Sequence, residues 1–327
     1  MATIDAPVRD LSYWQGARYR PGSSCGHYES WFLRANHPTR RLAFWIRYTI
    51  FVPRLRPQDA IGERWAILFD GERRMIRAAK AEVPISECDF ARRGLDVRID
   101  GSVLKAGELR GSADGGAHRI QWSLVYRDGA APMVFMPERT YEARWPAAKS
   151  LCTRPQVVFD GTLNVDGESI AVDGWIGSEN HNWGSRHTDT YAWGQVVGFD
   201  NAPEAFLECA TARLKLGPLW TPPMTVVCLR FDGRDYRLNS RLQMIRAKGA
   251  WKDFDWDFDS ACAGARIHGR FHATPEDFVS LTYYNPPGGD HTCLNSKLAA
   301  CEVTLERPSE PPVTLTTRYR AAFEILT

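Results

Sequence analysis

No stretch of this 327-residue chain approaches ~18 uninterrupted apolar residues, so no helical membrane span is expected. Nor is there a run of like charge. The 41 basic side chains are balanced by 39 acidic ones, which speaks against a nucleic-acid groove, while peripheral contact with a membrane stays open. The first ten residues, MATIDAPVRD, include two acids and no apolar core, so they do not read as a secretory signal. Cysteines stand at 25, 88, 152, 209, 228, 262, 293 and 301, and no pair has CxxC spacing. They read as free thiols of a cytoplasmic protein. A G-x-S-x-G elbow, a P-loop and a G-x-G-x-x-G are all missing, so neither nucleophilic-serine nor nucleotide chemistry has support. No cofactor is expected. Convincing amphipathic helices are also scarce, with short candidates near Pro84–Arg93 and Leu294–Ala300.

What is present is β-like. Asp-Gly occurs eight times, beginning at residues 70, 100, 114, 128, 160, 166, 173 and 232, and this pair favours hairpins because both residues tolerate positive φ. Between these turns lie β-branched and aromatic runs: Phe44–Val52, Trp65–Phe69, Ile120–Tyr126, Gln156–Phe159, Thr225–Phe231 and Val279–Tyr284. Twelve tryptophans are a heavy load, and rings of that size fill barrel interiors or line apolar pockets. The Ala43–Val52 strand is apolar in both parities, which suits a strand covered on both faces. Arg47 within it needs a partner, and Glu63 or Glu29 is the expected one. Length favours about two domains. A boundary near 143–155, where ARWPAAKSLCTRP has two prolines and no strand pattern, divides the chain into 1–148 and 149–327. The class is therefore all-β: two antiparallel β-barrels packed together, with few short helices.

Chemistry concentrates in Gly177–Gln195, GSENHNWGSRHTDTYAWGQ. Glu179, His181, Trp183, His187, Asp189, Tyr191, Trp193 and Gln195 share odd parity, and Asn182 and Arg186 stand at even positions between them. If two strands flank a turn at Trp183–Gly184–Ser185, the odd side chains can all face one interior. Such polar groups are costly to bury unless paired, and clusters of them favour functional sites. The bland alternative is satisfied core histidines with tryptophans as filling. Metal binding is a sharper one, since Glu179-x-His181 and His187-x-Asp189 are same-face ligand pairs on strands. A second cluster, Tyr283–His291, reads first as a rigid Pro-Pro-Gly-Gly turn at a barrel mouth.

The His181-Asn182-Trp183-Gly184 core, followed by Tyr191-Ala192-Trp193-Gly194, resembles carotenoid 1,2-hydratases (hydroxyneurosporene synthases) and their AttH-like relatives. The likeness extends to fungal Diels–Alderases and, more distantly, to tocopherol cyclases. The resemblance implies two lipocalin-like (calycin-type) barrels and a hydro-lyase or intramolecular cyclase acting on an isoprenoid-like or polyketide-like molecule. It also implies functional roles for His181 and Trp183, with an aromatic-x-acid pair on a following strand. That pair falls on Phe206 and Glu208, where the family has Tyr and Asp. Alkene protonation needs a carboxylic acid kept neutral by an apolar site, and aromatic faces to steady the cation. Glu208 or Asp189 is the candidate acid and His181 a base or water-orienter. The substrate would lie against Trp183, Tyr191 and Trp193, with Glu179, Asn182, Arg186, His187 and Gln195 as further contacts. The alternatives are a non-catalytic carrier of an apolar ligand and a metal-dependent enzyme using Glu179, His181, His187 and Asp189.

Overall fold

The computed structural model describes residues 10–327. Two large antiparallel sheets account for most of it. The first holds β1 (His27–Asn36), β2 (Leu42–Val52), β3 (Ile61–Asp70), β4 (Met75–Pro84), β5 (Cys88–Phe90), β6 (Asp96–Ile99) and β7 (Ser102–Lys105). It is completed by β8 (Glu108–Asp114), β9 (Arg119–Asp128), β10 (Ala148–Val165) and β11 (Glu168–Gly184), in the order β4-β3-β2-β1-β11-β10-β9-β8-β7-β6-β5.

The second sheet begins with β12 (Thr190–Val197) and β13 (Phe206–Arg213). A two-stranded hairpin, β14 (Lys215–Leu216) and β15 (Leu219–Trp220), stands apart from it. Then come β16 (Met224–Phe231), β17 (Arg234–Leu238), β18 (Lys248–Lys252), β19 (Asp255–Cys262), β20 (Ala265–His272), β21 (Val279–Tyr284), β22 (Asp290–Arg307) and β23 (Glu310–Leu326). Their order is β17-β16-β13-β12-β23-β22-β20-β19-β18, with β21 added on β22. Each sheet curls around its own apolar core, which is the lipocalin-type, all-β arrangement.

The changeover between sheets falls between Gly184 and Thr190, later than the proline-bearing segment near 148. The reason is visible in the pairing. Residues 129–147 form an irregular strap, after which β10 returns to pair with both β9 and β11. The Asp-Gly pairs also divide. Asp100-Gly101, Asp166-Gly167 and Asp232-Gly233 have positive φ at both residues and close tight hairpins. Asp160-Gly161 and Asp173-Gly174 lie inside β10 and β11, at a register shift, so they make a bulge instead.

The expected helices are elsewhere. Leu294–Ala300 lies inside β22, because pairing with β23 and β20 overrides local propensity. The Pro84–Arg93 stretch holds a single 3-10 turn, Ile85–Glu87, and then β5. The helices that do form among the described residues are α1 (Leu11–Gln15), capped by Asp10, and α2 (Arg241–Arg246). The latter carries a Ser240/Gln243 capping box, a signal present in the sequence.

β2 shows how the barrels meet. Phe44, Ile46, Tyr48, Ile50 and Val52 fill the first barrel. Ala43 and Trp45, of the other parity, join Phe32, Trp65, Ile67 and Phe69 on its outer face. There they pack against Trp193, Leu281, Tyr283, Cys293 and Ala322 of the second sheet. A strand buried on both faces is what a barrel-on-barrel contact requires. All eight cysteines are free thiols, and no helix of the described residues is long and apolar enough to cross a membrane.

Candidate functional site

β11 is the last strand of the first sheet and β12 the first of the second, so the turn between them changes which way parity points. Past the bulge at Asp173-Gly174, the odd residues of β11 face into the first barrel. Odd residues of β12 face the space between barrels, while Ala192 and Val196 fill the second core. The expectation that all the odd side chains share one interior therefore fails. Even residues of β11 meet Gln195, while Tyr191 and Trp193 pack against the outer face of β1–β3. Ser178 Oγ donates to Gln195 Oε1 at 2.7 Å, Gln195 Nε2 to Asn180 Oδ1 at 2.8 Å, and Asn180 Nδ2 to Ser178 Oγ at 2.9 Å.

Glu179, His181 and Trp183 belong to the first barrel. Glu179 Oε1 accepts from Gln15 Nε2 and Thr153 Oγ1, both at 2.6 Å, and its Oε2 accepts from the Tyr126 hydroxyl at 2.7 Å. The His181 ring lies stacked on Trp31 at 4.8 Å, its Nδ1 2.7 Å from the Trp14 carbonyl and its Nε2 2.8 Å from Glu29 Oε1. Glu29 also accepts from His27 and from the backbone N–H of Arg18 and Tyr19. Burial alone would push its carboxyl up. The hydrogen bonds and charges of His181 and His27 outweigh that and hold it at about 2. Trp183 packs with Trp14, Val134, Tyr141 and Leu151. Glu179 and His181 are thus fully engaged within the first barrel, and none of the three lines the space between the barrels.

That space is a cavity of about 230 Å³. Its floor comes from Phe32, Trp45 and Asn182 of the first sheet; Tyr191, Trp193 and Ala210 face them from the second. The strap closes one side with Phe135, Met136, Thr140 and Trp145, and α2 adds Arg241 and Met244. The wall is largely aromatic and aliphatic, as ligand sites usually are. Among its polar groups, His187 is stacked on Tyr28 at 3.9 Å and lies 5.9 Å from Tyr283. Burial, then the charges of Arg47 and His291, bring its imidazole down to about 3, so it is neutral at physiological pH. Asn182 Oδ1 is buried with no hydrogen-bond partner.

Arg47 projects from β2 into the same cavity. Neither partner expected from the sequence reaches it. Glu29 is committed inside the first barrel, and Glu63 accepts from Lys80 Nζ at 2.7 Å. Arg47 instead lies over the Tyr283 ring, 4.5 Å from its centroid, and 5.8 Å from that of Trp45. Glu324, another wall residue, accepts from Lys297 Nζ and Asn295 Nδ2, each at 2.9 Å.

Glu208 sits on β13, on the outward face shared with Ala210. Its Oε1 accepts from the Trp193 indole at 3.1 Å, and its buried Oε2 has no partner. The neighbours opposite it are already engaged: the Gln195 amide with Ser178 and Asn180, and the Cys228 thiol with the Phe135 carbonyl. Burial raises this carboxyl to about 8, and the Trp193 bond offsets only part of the effect. Glu208 is not itself part of the cavity wall; Trp193 is.

Arg186 and Asp189 pair with each other at 2.6 Å in the turn after β11, where Asp189 also accepts from the Lys215 backbone N–H. The four candidate metal ligands do not converge. Glu179 and His181 are inside the first barrel, whereas His187 and Asp189 are in the turn beyond it. Among the described residues no three His, Cys, Asp or Glu side chains are arranged to hold a metal ion.

Several wall residues were missed from sequence: Tyr28, Trp45, the strap residues, Tyr283 and Glu324. Two of them carried a signal: Trp45 as a bulky member of a strand apolar in both parities, and Tyr283 as the start of the Tyr283–His291 cluster.

No family model matches the chain. An uncharacterised protein of Mycobacterium tuberculosis strain H37Rv is 26% identical over 313 residues, which is 93% of this chain and 87% of that protein. Among solved structures, an AttH-like protein of Nitrosomonas europaea superposes with a TM-score of 0.60 at 14% identity, over 100% of this chain and 99% of that one. Kievitone hydratase of Nectria haematococca gives 0.60 at 13%, over 98% and 92%. CghA, solved with Sch210972, gives 0.60 at 11%, over 98% and 97%. These likenesses establish the fold.

Proposed function

We propose that the protein is a cofactor-independent acid–base enzyme that takes an apolar, isoprenoid-like or polyketide-like molecule between its barrels, with Glu208 as the proton donor. The observation that carries this reading is the Glu208 carboxyl: buried, held protonated at neutral pH, and bonded through one oxygen to a tryptophan of the cavity wall. With Oε1 accepting from the indole, the acidic proton resides on Oε2, the oxygen with no partner. An unsatisfied buried polar atom is rare enough to ask for a role. The aromatic faces of Trp45, Tyr191, Trp193 and Tyr283 would steady positive charge developing on a protonated alkene. That a structural neighbour is, by its name, a hydratase agrees with this chemistry.

His181, a base or water-orienter by resemblance, is assigned a structural part here, because Glu29 and the Trp14 carbonyl occupy both of its nitrogens. Asp189 is paired with Arg186 and is a poorer candidate acid than Glu208. A carrier without catalysis is the second reading. It is favoured by the position of Glu208 behind the wall rather than in it.

Deuterium incorporation separates the two. Apolar alkenes of isoprenoid type are incubated with the protein in D₂O and followed by mass spectrometry. Incorporation or hydration by the wild type, lost in Glu208→Gln with ligand binding retained, supports the enzyme. Binding without exchange in either protein supports the carrier.

A further inference from the structure

The buried charged groups around the cavity have hydrogen-bond or ion-pair partners with one exception; Lys149, the other buried cation of the wall, donates to the Pro146 carbonyl at 2.7 Å. Glu63 is taken by Lys80 and Glu324 by Lys297. Arg320 is paired with Asp200 at 2.8 Å. Arg34 donates to the carbonyls of Gln195 and Arg320 and to Asn36 Oδ1. Arg47, 6% exposed, lines the cavity with no carboxylate in ion-pair reach among the described residues, and its Nε has no hydrogen-bond partner. A guanidinium does not lose its charge in a protein, so this cation is permanent. The Tyr283 and Trp45 faces attract it, but ring faces leave in-plane N–H donors unmet. Buried cations are normally paired, and the planar fork of arginine matches two-oxygen acids.

We propose that Arg47 anchors an acidic oxygen group, a carboxylate or ionised enol, at one end of the cavity's otherwise apolar ligand. This rests on the reading that the cavity takes an apolar small molecule, and it narrows that molecule to an amphipathic acid. The surroundings suit the assignment. His187, neutral and close enough to feel the Arg47 charge, adds no competing cation, and the nearest acids on each side are bound to their own lysines. Tyr28 and Tyr191 line the same cavity as Arg47 and Tyr283, and their rings would flank the bound group.

Titration calorimetry on the full chain at neutral pH tests this with 2-naphthoate and its uncharged counterpart 2-naphthamide as probes. The wild type is expected to bind the acid about ten- to a hundredfold more tightly than the amide, the range of a charge-assisted hydrogen bond. Arg47→Met should erase that preference while keeping amide affinity, and Arg47→Gln provides a second uncharged variant if the first does not fold. Equal affinity of the wild type for both probes, or a preference that survives either substitution, overturns the anchor and leaves the apolar cavity standing. Failure of both probes to bind removes the anchor and the cavity reading together.

Discussion

The indole nitrogen of Trp193 lies 3.1 Å from Oε1 of Glu208, and this bond joins the aromatic wall of the cavity to a carboxyl that burial keeps protonated. The two residues occupy adjacent strands, β12 and β13, on the face turned toward the first barrel.

The raised carboxyl has a consequence for stability. In the unfolded chain Glu208 ionises near its ordinary 4.5, whereas in the fold it holds its proton to about 8. Between those values only the folded state keeps that proton, so stability falls as pH rises, by at most about 1.4 kcal/mol per pH unit. Glu208→Gln should remove this slope. Thermal melts of the two proteins should differ in the variant's favour at about pH 8 relative to about pH 5; parallel profiles would contradict it.

Trp193→Phe keeps a ring in the wall but removes the N–H that Glu208 accepts. Because that bond lowers the carboxyl, its loss should shift the Glu208 midpoint upward. Stability should fall by about 1–3 kcal/mol, the cost of leaving a buried acceptor unpaired. An unchanged midpoint would show that the indole does not hold Glu208.

The Glu29–His181 pair belongs to the first barrel, so its loss should unfold rather than inactivate. Glu29 is held at about 2, below its ordinary 4.5, and therefore adds stability above pH 4.5 that disappears as pH falls toward 2. Glu29→Gln should flatten that acid limb, and His181→Ala should cost about 1–3 kcal/mol by removing one of the four donors that hold the buried carboxylate. Neither should change probe affinity in the cavity. Full stability of His181→Ala with loss of turnover would return His181 to the chemistry.

Much of this was legible in the sequence. The strand runs, the Asp-Gly hairpins and the double-faced β2 followed from periodicity, since a strand's alternation is a local property. The motif glycines were visible but not their reason. A Cβ on Gly184 would lie 2.3 Å from the Ala147 carbonyl oxygen, and one on Gly194 would lie 2.4 Å from the Phe271 ring. The one-interior expectation failed because parity carries no information about a change of sheet, which is decided by pairing partners far apart in the chain. For the same reason Glu63 was mistaken for the Arg47 partner: Lys80, on the next strand, claims it first.

Gly194→Ala follows from that contact. Phe271 is fully buried in the second core and stacked on Trp256, so it has little room to yield. The added methyl should cost about 1–3 kcal/mol by overpacking. A chemical denaturation midpoint equal to wild type would show that the ring moves freely.

Infrared spectroscopy of wild type against Glu208→Gln across pH reads the protonation of Glu208 behind the cavity wall. A protonated-carboxyl carbonyl band is expected in the wild type that persists at about pH 6, disappears with a midpoint of about 8 and is absent from the variant. A wild type with no such band above about pH 5 would contradict it, because Glu208 would then be an ordinary ionised carboxylate.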